Sequence, residues 1–276
     1  MIISINNHKG GTGKTQASIH LAEALARKST VSSVLVIDND PQGDSSRKLL
    51  QADDRPEPGV FDIYESALEG FELEISSSEL FHITKAYKNL YICPNFENTA
   101  GLEIPLVRRL EDEKCFCVLR DFLKNYRHKY DYILIDNTPS WSAFVYNSLG
   151  AADACIVPVL GASADSLNGI RRTFDMIRKI KSSINEDLRF LRVLVNNVDR
   201  RTILGRSFYE NLIEGMGENK VFETVIPISA NLQKSEIEKS TLFSLFPNST
   251  VTKAYRALAD EVENIRLKEF ADKTHS

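Results

Sequence analysis

Short apolar runs recur along the chain, separated by segments in which apolar residues return every third or fourth position. The runs Ile2–Asn6, Val34–Ile37, Leu90–Cys93, Tyr132–Ile135, Ala154–Val159, Leu191–Val195 and Val221–Ile226 predict strands. Several are apolar almost throughout, as a strand must be when helices cover both of its faces. Between them, Gly13–Lys28 places Ala17, Leu21, Ala24 and Leu25 on one helical face. Similar faces run through Pro105–Tyr126, Leu167–Ile184 and Val251–Phe270. The alternation predicts an α/β fold, a twisted and mainly parallel sheet covered by helices on both faces. The chain of 276 residues carries no internal repeat and is expected to form one domain over 1–276. The irregular stretch at about 45–79, where Pro56, Pro58 and Gly59 precede a short helix near Phe61–Leu68, reads as a surface excursion. The chain then ends in a helix at about 251–270.

Composition narrows the class without naming it. Hydrophobic residues at 42% and charged residues at 26% describe a globular protein, neither disordered nor fibrous. No apolar stretch approaches the ~20 residues needed to cross a bilayer, and the first strand begins without a signal-like leader, so a cytoplasmic protein is expected. A net charge of −4 argues against a surface that binds nucleic acid throughout, and leaves room for a local basic patch. Four cysteines are too few and too irregularly spaced for a disulfide scaffold. On a continuous helix Cys115 would face the core with Val118, Leu119 and Phe122, and Cys117 would face solvent with Arg120, Asp121 and Lys124. Such divergence argues against a shared metal.

The candidate chemistry begins at Lys9-Gly10-Gly11-Thr12-Gly13-Lys14-Thr15, which follows the first strand and opens the first helix. Small residues there let successive backbone N–H groups curl around phosphate oxygens, and the helix N-terminus adds partial positive charge. Lys14 is expected at the β- and γ-phosphates and the Thr15 hydroxyl on Mg²⁺, with Gln16 continuing the nucleotide-binding wall. The strict pattern G-x-x-x-x-G-K-[ST] is not met, because its first glycine falls on His8. The dinucleotide pattern G-x-G-x-x-G also fails, because its last glycine falls on Gln16. Two apolar runs then end in acids, Val34 to Ile37 in Asp38-Asn39-Asp40 and Tyr132 to Ile135 in Asp136. In an open α/β sheet all three elements converge beyond the strand C-termini, where ligands collect. Asp136 has the placement of an acid that holds Mg²⁺ through water, while Asp38 and Asp40 could orient a water or sense the metal.

These segments resemble the ParA/MinD family of deviant Walker A ATPases. The hallmark is the additional lysine at the start of the loop, here Lys9. Asp38-Asn39-Asp40-Pro41-Gln42-Gly43-Asp44 is similar to the ParA switch I run, and Asp136-Asn137-Thr138-Pro139-Ser140 to its Walker B and switch II run, with Thr138 where a proline is usual. Val157-Pro158-Val159, Leu167-Asn168-Gly169-Ile170, Asn196-Asn197-Val198-Asp199-Arg200-Arg201-Thr202 and Val225-Ile226-Pro227 match the later landmarks in order. The resemblance implies a P-loop ATPase using ATP and Mg²⁺, weakly active alone and working as an ATP-dependent homodimer. It implies that Lys9 crosses to the partner's γ-phosphate, that Asp40 positions the attacking water, and that Asn196 and Pro227 hold the adenine.

It further implies a ParB-like adaptor and non-specific duplex DNA as partners, in segregation of plasmid or chromosomal DNA. Arg171, Arg172, Arg178, Lys179 and Lys181 on one predicted helix, and Arg200, Arg201 and Arg206 after the next strand, are the candidate contacts. The second basic loop of the family is replaced by Ile228-Ser229-Ala230-Asn231-Leu232-Gln233, with Lys234 alone nearby. Because the sequence opens on the first strand, the operator-binding extension of some plasmid relatives is expected to be lacking. The last helix sets Val251, Ala254, Tyr255, Leu258, Val262 and Ile265 against a polar face of mixed sign that runs on to Glu269 and Asp272. A membrane anchor should be basic there, so docking on the domain is expected in place of a MinD-like lipid role. The cargo stays open between DNA and a protein assembly such as a chemoreceptor array, a secretion apparatus or a microcompartment. A metabolic or cofactor-assembly enzyme on the same scaffold would want a CxxC pair or a second substrate motif, and neither is present.

Overall fold

Six of the seven apolar runs become parallel strands, in a computed structural model that describes residues 1–51, 58–110, 112–161 and 164–270. For residues 112–113 and 164–168 only the backbone is described, so Leu167 and Asn168 carry no side-chain account; Pro56 and Asp272 lie outside the described residues. The strands are β1 (Ile2–Ile5), β2 (Val34–Asn39), β3 (His82–Ile83), β4 (Leu90–Cys93), β5 (Tyr132–Asn137), β6 (Ala154–Leu160) and β7 (Arg189–Asn196). They form one sheet in the order β3-β4-β2-β5-β1-β6-β7, parallel except for the short edge strand β3, which pairs antiparallel to β4.

The helices are α1 (Lys14–Ala26), α2 (Asp44–Leu50), α3 (Val60–Glu69), α4 (Ser77–Leu80), α5 (Glu103–Arg109), α6 (Val118–Leu123), α7 (Ala143–Ala151), α8 (Ala164–Ser183), α9 (Ile203–Met216), α10 (Ala230–Ile237), α11 (Leu242–Leu245) and α12 (Thr250–Glu269). Alternate strand residues face opposite layers. Leu35, Ile37, Ile133 and Ile135 pack with α3, α6, α7 and α8, whereas Val34, Val36 and Leu134 pack with α1, α11 and α12. This is the doubly covered sheet that the near-continuous apolar runs require. The apolar face of α12 is buried at Val251, Tyr255, Leu258, Val262 and Ile265, and Lys28 after α1 pairs with its Asp260 and Glu263.

Four expectations are corrected. Val221–Ile226 is not a strand. It runs beside β7 with isolated bridges at Val221 and Pro227, because the Glu223 and Thr224 amides donate to the Glu261 carboxylate instead of to a ladder, at 2.9 and 3.1 Å. Pro105–Tyr126 is not one helix, since Leu110 turns extended and a 3-10 turn, Asp112–Phe116, intervenes. Asn147 of α7 takes over the freed backbone groups, donating to Cys115 O at 2.6 Å and accepting from Leu119 N at 3.2 Å. The break turns Cys117 inward, so both Cys115 and Cys117 are buried. The stretch read as a surface excursion buries Leu49, Leu50, Val60, Ile63 and Tyr64, and α2 within it belongs to the site described next.

Candidate nucleotide-binding site

The site is built where β1, β2 and β5 end. Both acids sit within the last rungs of their strands, where Asp38 pairs in register with Asp136 and Asn39 with Asn137. Asn39 Nδ2 donates to Asn137 Oδ1 at 3.0 Å, and Asn137 Nδ2 donates to Ile5 O at 3.0 Å, so the three strand ends are tied into one plate. Asp38 and Asp136 are fully buried. Ser18 and Ser45 hydroxyls donate to the two Asp136 oxygens at 2.9 and 2.6 Å. Ser46 gives Asp38 Oδ2 both its amide, at 2.8 Å, and its hydroxyl, at 2.6 Å. The serines come from α1 and α2, and the turn that launches α2 needs Gly43. There φ is +67°, and a Cβ would stand 2.6 Å from Asn95 O.

Burial pushes the Asp136 carboxyl up to about 6, against the serine hydrogen bonds that favour its anion. Asp38 is pushed well above the usual carboxylate range by burial and then by Asp136 beside it. Two buried carboxylates with hydroxyl neighbours form a hard-oxygen donor set, which suits Mg²⁺. Among the described residues no cluster of three His, Cys, Asp or Glu side chains could hold a metal alone. A magnesium that completes its shell with water and phosphate needs no such cluster.

The phosphate loop folds as its glycines dictate. Gly11 and Gly13 both have positive φ, and a Cβ at Gly13 would meet Asn196 Nδ2 at 2.7 Å. Asn196 donates from that atom to Thr12 O at 2.9 Å, which clamps the loop onto the end of β7. Its Oδ1 is buried without a partner, an acceptor left open beside the loop. Lys14 is almost fully buried and donates to Lys9 O at 3.3 Å. Burial lowers its pKa, while Asp136 and Asp40 pull it back up. Asp40 is half-buried, its pKa raised by burial, with one oxygen accepting from Gln42 N at 3.0 Å. His8, in place of the first glycine of the strict motif, stacks on Trp141 with ring centroids 5.5 Å apart and accepts from Arg172 at 3.1 Å.

A cleft of about 640 Å³ opens over this plate, lined by residues 11–16, Asp40, Gln42, Arg47, Lys48, Asn137 and Glu236. The structure therefore brings together Gly11, Thr12, Gly13, Lys14, Thr15, Gln16 and Asp40, with Asp38 and Asp136 beneath them; Lys9 and Gly10 form the start of the same loop. Pro227 is apart. It lines a neighbouring cleft of about 570 Å³ with Val198, Arg201 and Val251. The basic candidates are dispersed too. Arg171 lines a third groove with Phe174 and Met216, Arg172 is turned toward His8, Arg201 is locked to Asp199, and Arg206 and Lys234 are exposed on α9 and α10. Ser18, Ser45, Ser46, Lys48 and Glu236 are site residues that sequence reasoning missed. An acidic D-x-D run followed by two serines was the available signal for Ser45 and Ser46.

The AAA-domain family matches residues 1–190. The chain is 34% identical to the chromosome-partitioning ATPase Soj of Thermus thermophilus, over 94% of each chain. It is 32% identical to the sporulation initiation inhibitor protein Soj of Bacillus subtilis, over 95% of this chain and 97% of that one. The chain belongs to the ParA family of ATPases. As a ParA-family member it is an ATPase. Its fold is also that of cobyrinic acid a,c-diamide synthase from Mycobacterium smegmatis, solved with an ATP analogue and magnesium. That likeness has a TM-score of 0.77 at 24% identity, covering 97% of this chain and 96% of that one.

Proposed function

We propose that this ParA-family chain is a partition ATPase, which forms an ATP-dependent dimer, binds duplex DNA non-specifically in that state and is stimulated by a ParB-like adaptor to segregate DNA. The observation that carries this reading is Lys9. It stands ahead of Gly10 and Gly11, and its carbonyl holds the Lys14 ammonium. The chain thus has two lysines on one phosphate loop, and the first of them is the one assigned to the partner's site. The names of the Soj relatives supply the biological direction.

Each group is assigned the role that its chemistry fits. Loop amides from Gly10 to Thr15 and the Lys14 ammonium bind the phosphates. The Thr15 hydroxyl with the Asp136 and Asp38 carboxylates would hold the metal, and Asn196, with its open Oδ1, would meet the base. Mg²⁺ supplies charge neutralisation on the phosphate oxygens. Asp40 keeps one carboxylate oxygen clear of the Gln42 amide, which leaves it to orient a water for in-line attack. Lys9 adds positive charge across the dimer, so turnover waits on association.

Arg171, Arg172, Arg201, Arg206 and Lys234 are the cations offered to DNA, and two dimer-related copies would double whichever set is used. The lipid alternative is disfavoured because the apolar face of α12 is already buried, and among the described residues no helix is long and apolar enough to cross a membrane. Light scattering with and without ATP, coupled to duplex binding at several salt concentrations, tests the proposal. An ATP-dependent dimer with steeply salt-dependent DNA affinity is expected, and Lys9→Ala should lose adaptor-stimulated turnover. DNA binding that is tight without nucleotide, or missing with ATP at low salt, would sink it.

A further inference from the structure

Lys48 is a buried cation for which the roles above leave no use. It lies on α2, directly after the D-x-D-P-Q-G run, and is only 6% exposed. Its ammonium donates to Gln16 Oε1 at 3.2 Å and to Ser235 Oγ at 3.3 Å, both neutral and both long. Two acceptors serve three N–H donors, and none of the ion pairs found among the described residues includes it. Burying an ammonium without a counter-ion is unfavourable, and lysines so placed give up their proton or find an anion. Lys48 also lines the nucleotide cleft, so the anion it lacks is the one that cleft is built to receive.

The surroundings are arranged to keep Lys48 where it is. Gln16 is the hub, because its Oε1 accepts from His20 Nε2 at 2.9 Å as well as from Lys48, while its Nε2 donates to Glu236 at 2.5 Å. Since the shared oxygen can only accept, Nε2 of His20 carries the proton. Nδ1 is then bare and without a partner in the core, which agrees with a pKa lowered by burial and by Lys48. The carboxylates that face Lys48 are Glu236 on α10, Asp44 on α2 and Glu23 on α1. They attract it, yet burial still takes its pKa down to about 8. A neutral side chain could serve Gln16 and Ser235 equally well. What an ammonium adds is charge, at a residue that lines the cleft.

We propose that Lys48 is a phosphate-binding residue, a second cation in the cleft that holds the inner phosphates common to ATP and ADP. The inner phosphates are assigned because Lys48 contacts Gln16, in the first turn of the helix that the phosphate loop opens, whereas the γ-phosphate is the end at which Asp40 and the attacking water are needed. The proposal rests on the ATPase reading and adds a residue and a phosphate preference to it.

Calorimetric titration of ATP, ADP and adenosine into the unsubstituted chain, Lys48→Met and Lys48→Arg tests it. Both ATP and ADP should bind about 10- to 100-fold more weakly to Lys48→Met, the range for loss of a charge-assisted contact. Adenosine affinity should not change, and Lys48→Arg should recover most of the loss. At pH 8.5, above the value of about 8 to which burial lowers Lys48, the unsubstituted chain should take up a proton on binding ADP, read as a buffer-dependent heat. Lys48→Met should not, and a merely structural lysine would give no such signal. If the methionine variant fails to melt cooperatively, Lys48→Gln keeps the polar contacts, removes only the charge and carries the same expectation. Unchanged affinities, or a loss confined to ATP, overturn the assignment while the ATPase reading stands. An unsubstituted chain that binds no ATP overturns both.

Discussion

The acids under the phosphate loop and the arginines offered to DNA show opposite ways of placing charge. Asp38 and Asp136 are fully buried, fixed by strand register and held by serines from two helices. Arg201 is 91% exposed and pairs with Asp199, two residues away. The first pair is over-determined by the fold and energetically uncomfortable, since both carboxyls are pushed up by burial. The second is comfortable and under-determined. A site kept at a cost in stability is one whose ligand supplies the missing charge, whereas an exposed ion pair contributes little to folding and can open for a partner.

The strongest blow to the buried side is Lys14→Ala. It removes the cation that the loop wraps, and ATP hydrolysis should fall about a thousandfold or more, measured as phosphate release per folded molecule. Activity within tenfold of the parent would break the claim that this end of the sheet is the catalytic one. Next in size is the pH dependence of stability. Asp136 titrates at about 6 in the fold against 3.8 as an ordinary aspartate, so between those values the folded chain binds more protons than the unfolded one. Stability should therefore fall as pH rises from about 4 to 6, by about 3 kcal/mol from Asp136, and go on falling above that as the higher-lying Asp38 loses its proton. Denaturant midpoints across that window read the slope. Asp136→Asn should flatten it, and Mg²⁺ with nucleotide should reverse the loss. Gly13→Ala comes third. Strain at φ +83° and a contact of 2.7 Å with Asn196 should cost about 2 kcal/mol and open the clamp on Thr12. A lowered melting temperature together with weakened ATP binding is the expected pair of results.

Much of the buried side was legible in sequence for a physical reason. A parallel strand covered on both faces must be apolar throughout, so an acid at its end stands out at once, as Asp38 and Asp136 do. The glycines of the loop announce themselves in the same way, because positive φ leaves few other choices. What stayed hidden depends on partners far along the chain. Glu261 diverts the amides of Glu223 and Thr224 from a strand that their neighbours would favour. Asn147 breaks a helix that the local periodicity supports, and with it turns Cys117 inward. Ser45 and Ser46 look like ordinary helix-opening residues until the fold sets them over the two acids. Lys48 looks like a solvated lysine in the sequence because nothing nearby reveals that α10 will close over it. Local rules read backbone needs well, and side-chain partners across a hundred residues poorly.

The smallest expected effect lies on the exposed side. The Arg201 guanidinium lies along the Asp199 carboxylate with both bonds at 2.9 Å, and this contact holds the Asp199 carboxyl down to about 2. If Arg201 serves DNA, it must first leave Asp199 or share it, so the carboxylate competes with phosphate for the same cation. Arg201→Ala should then weaken ATP-dependent duplex binding by only a few-fold and lower its salt dependence by about one ion per copy. Asp199→Asn should do the opposite, raising DNA affinity because the competitor has lost its charge. ATP hydrolysis measured without DNA should be the same in both variants, because neither residue lines the cleft over the phosphate loop. Opposite changes in DNA affinity at constant basal turnover would establish Arg201 as a DNA contact restrained by its own neighbour. Parallel losses in both variants would instead make the pair a structural staple for the turn before α9, where Asp199 O also accepts from the Thr202 hydroxyl at 2.7 Å. The DNA surface would then have to be sought among Arg171, Arg206 and Lys234.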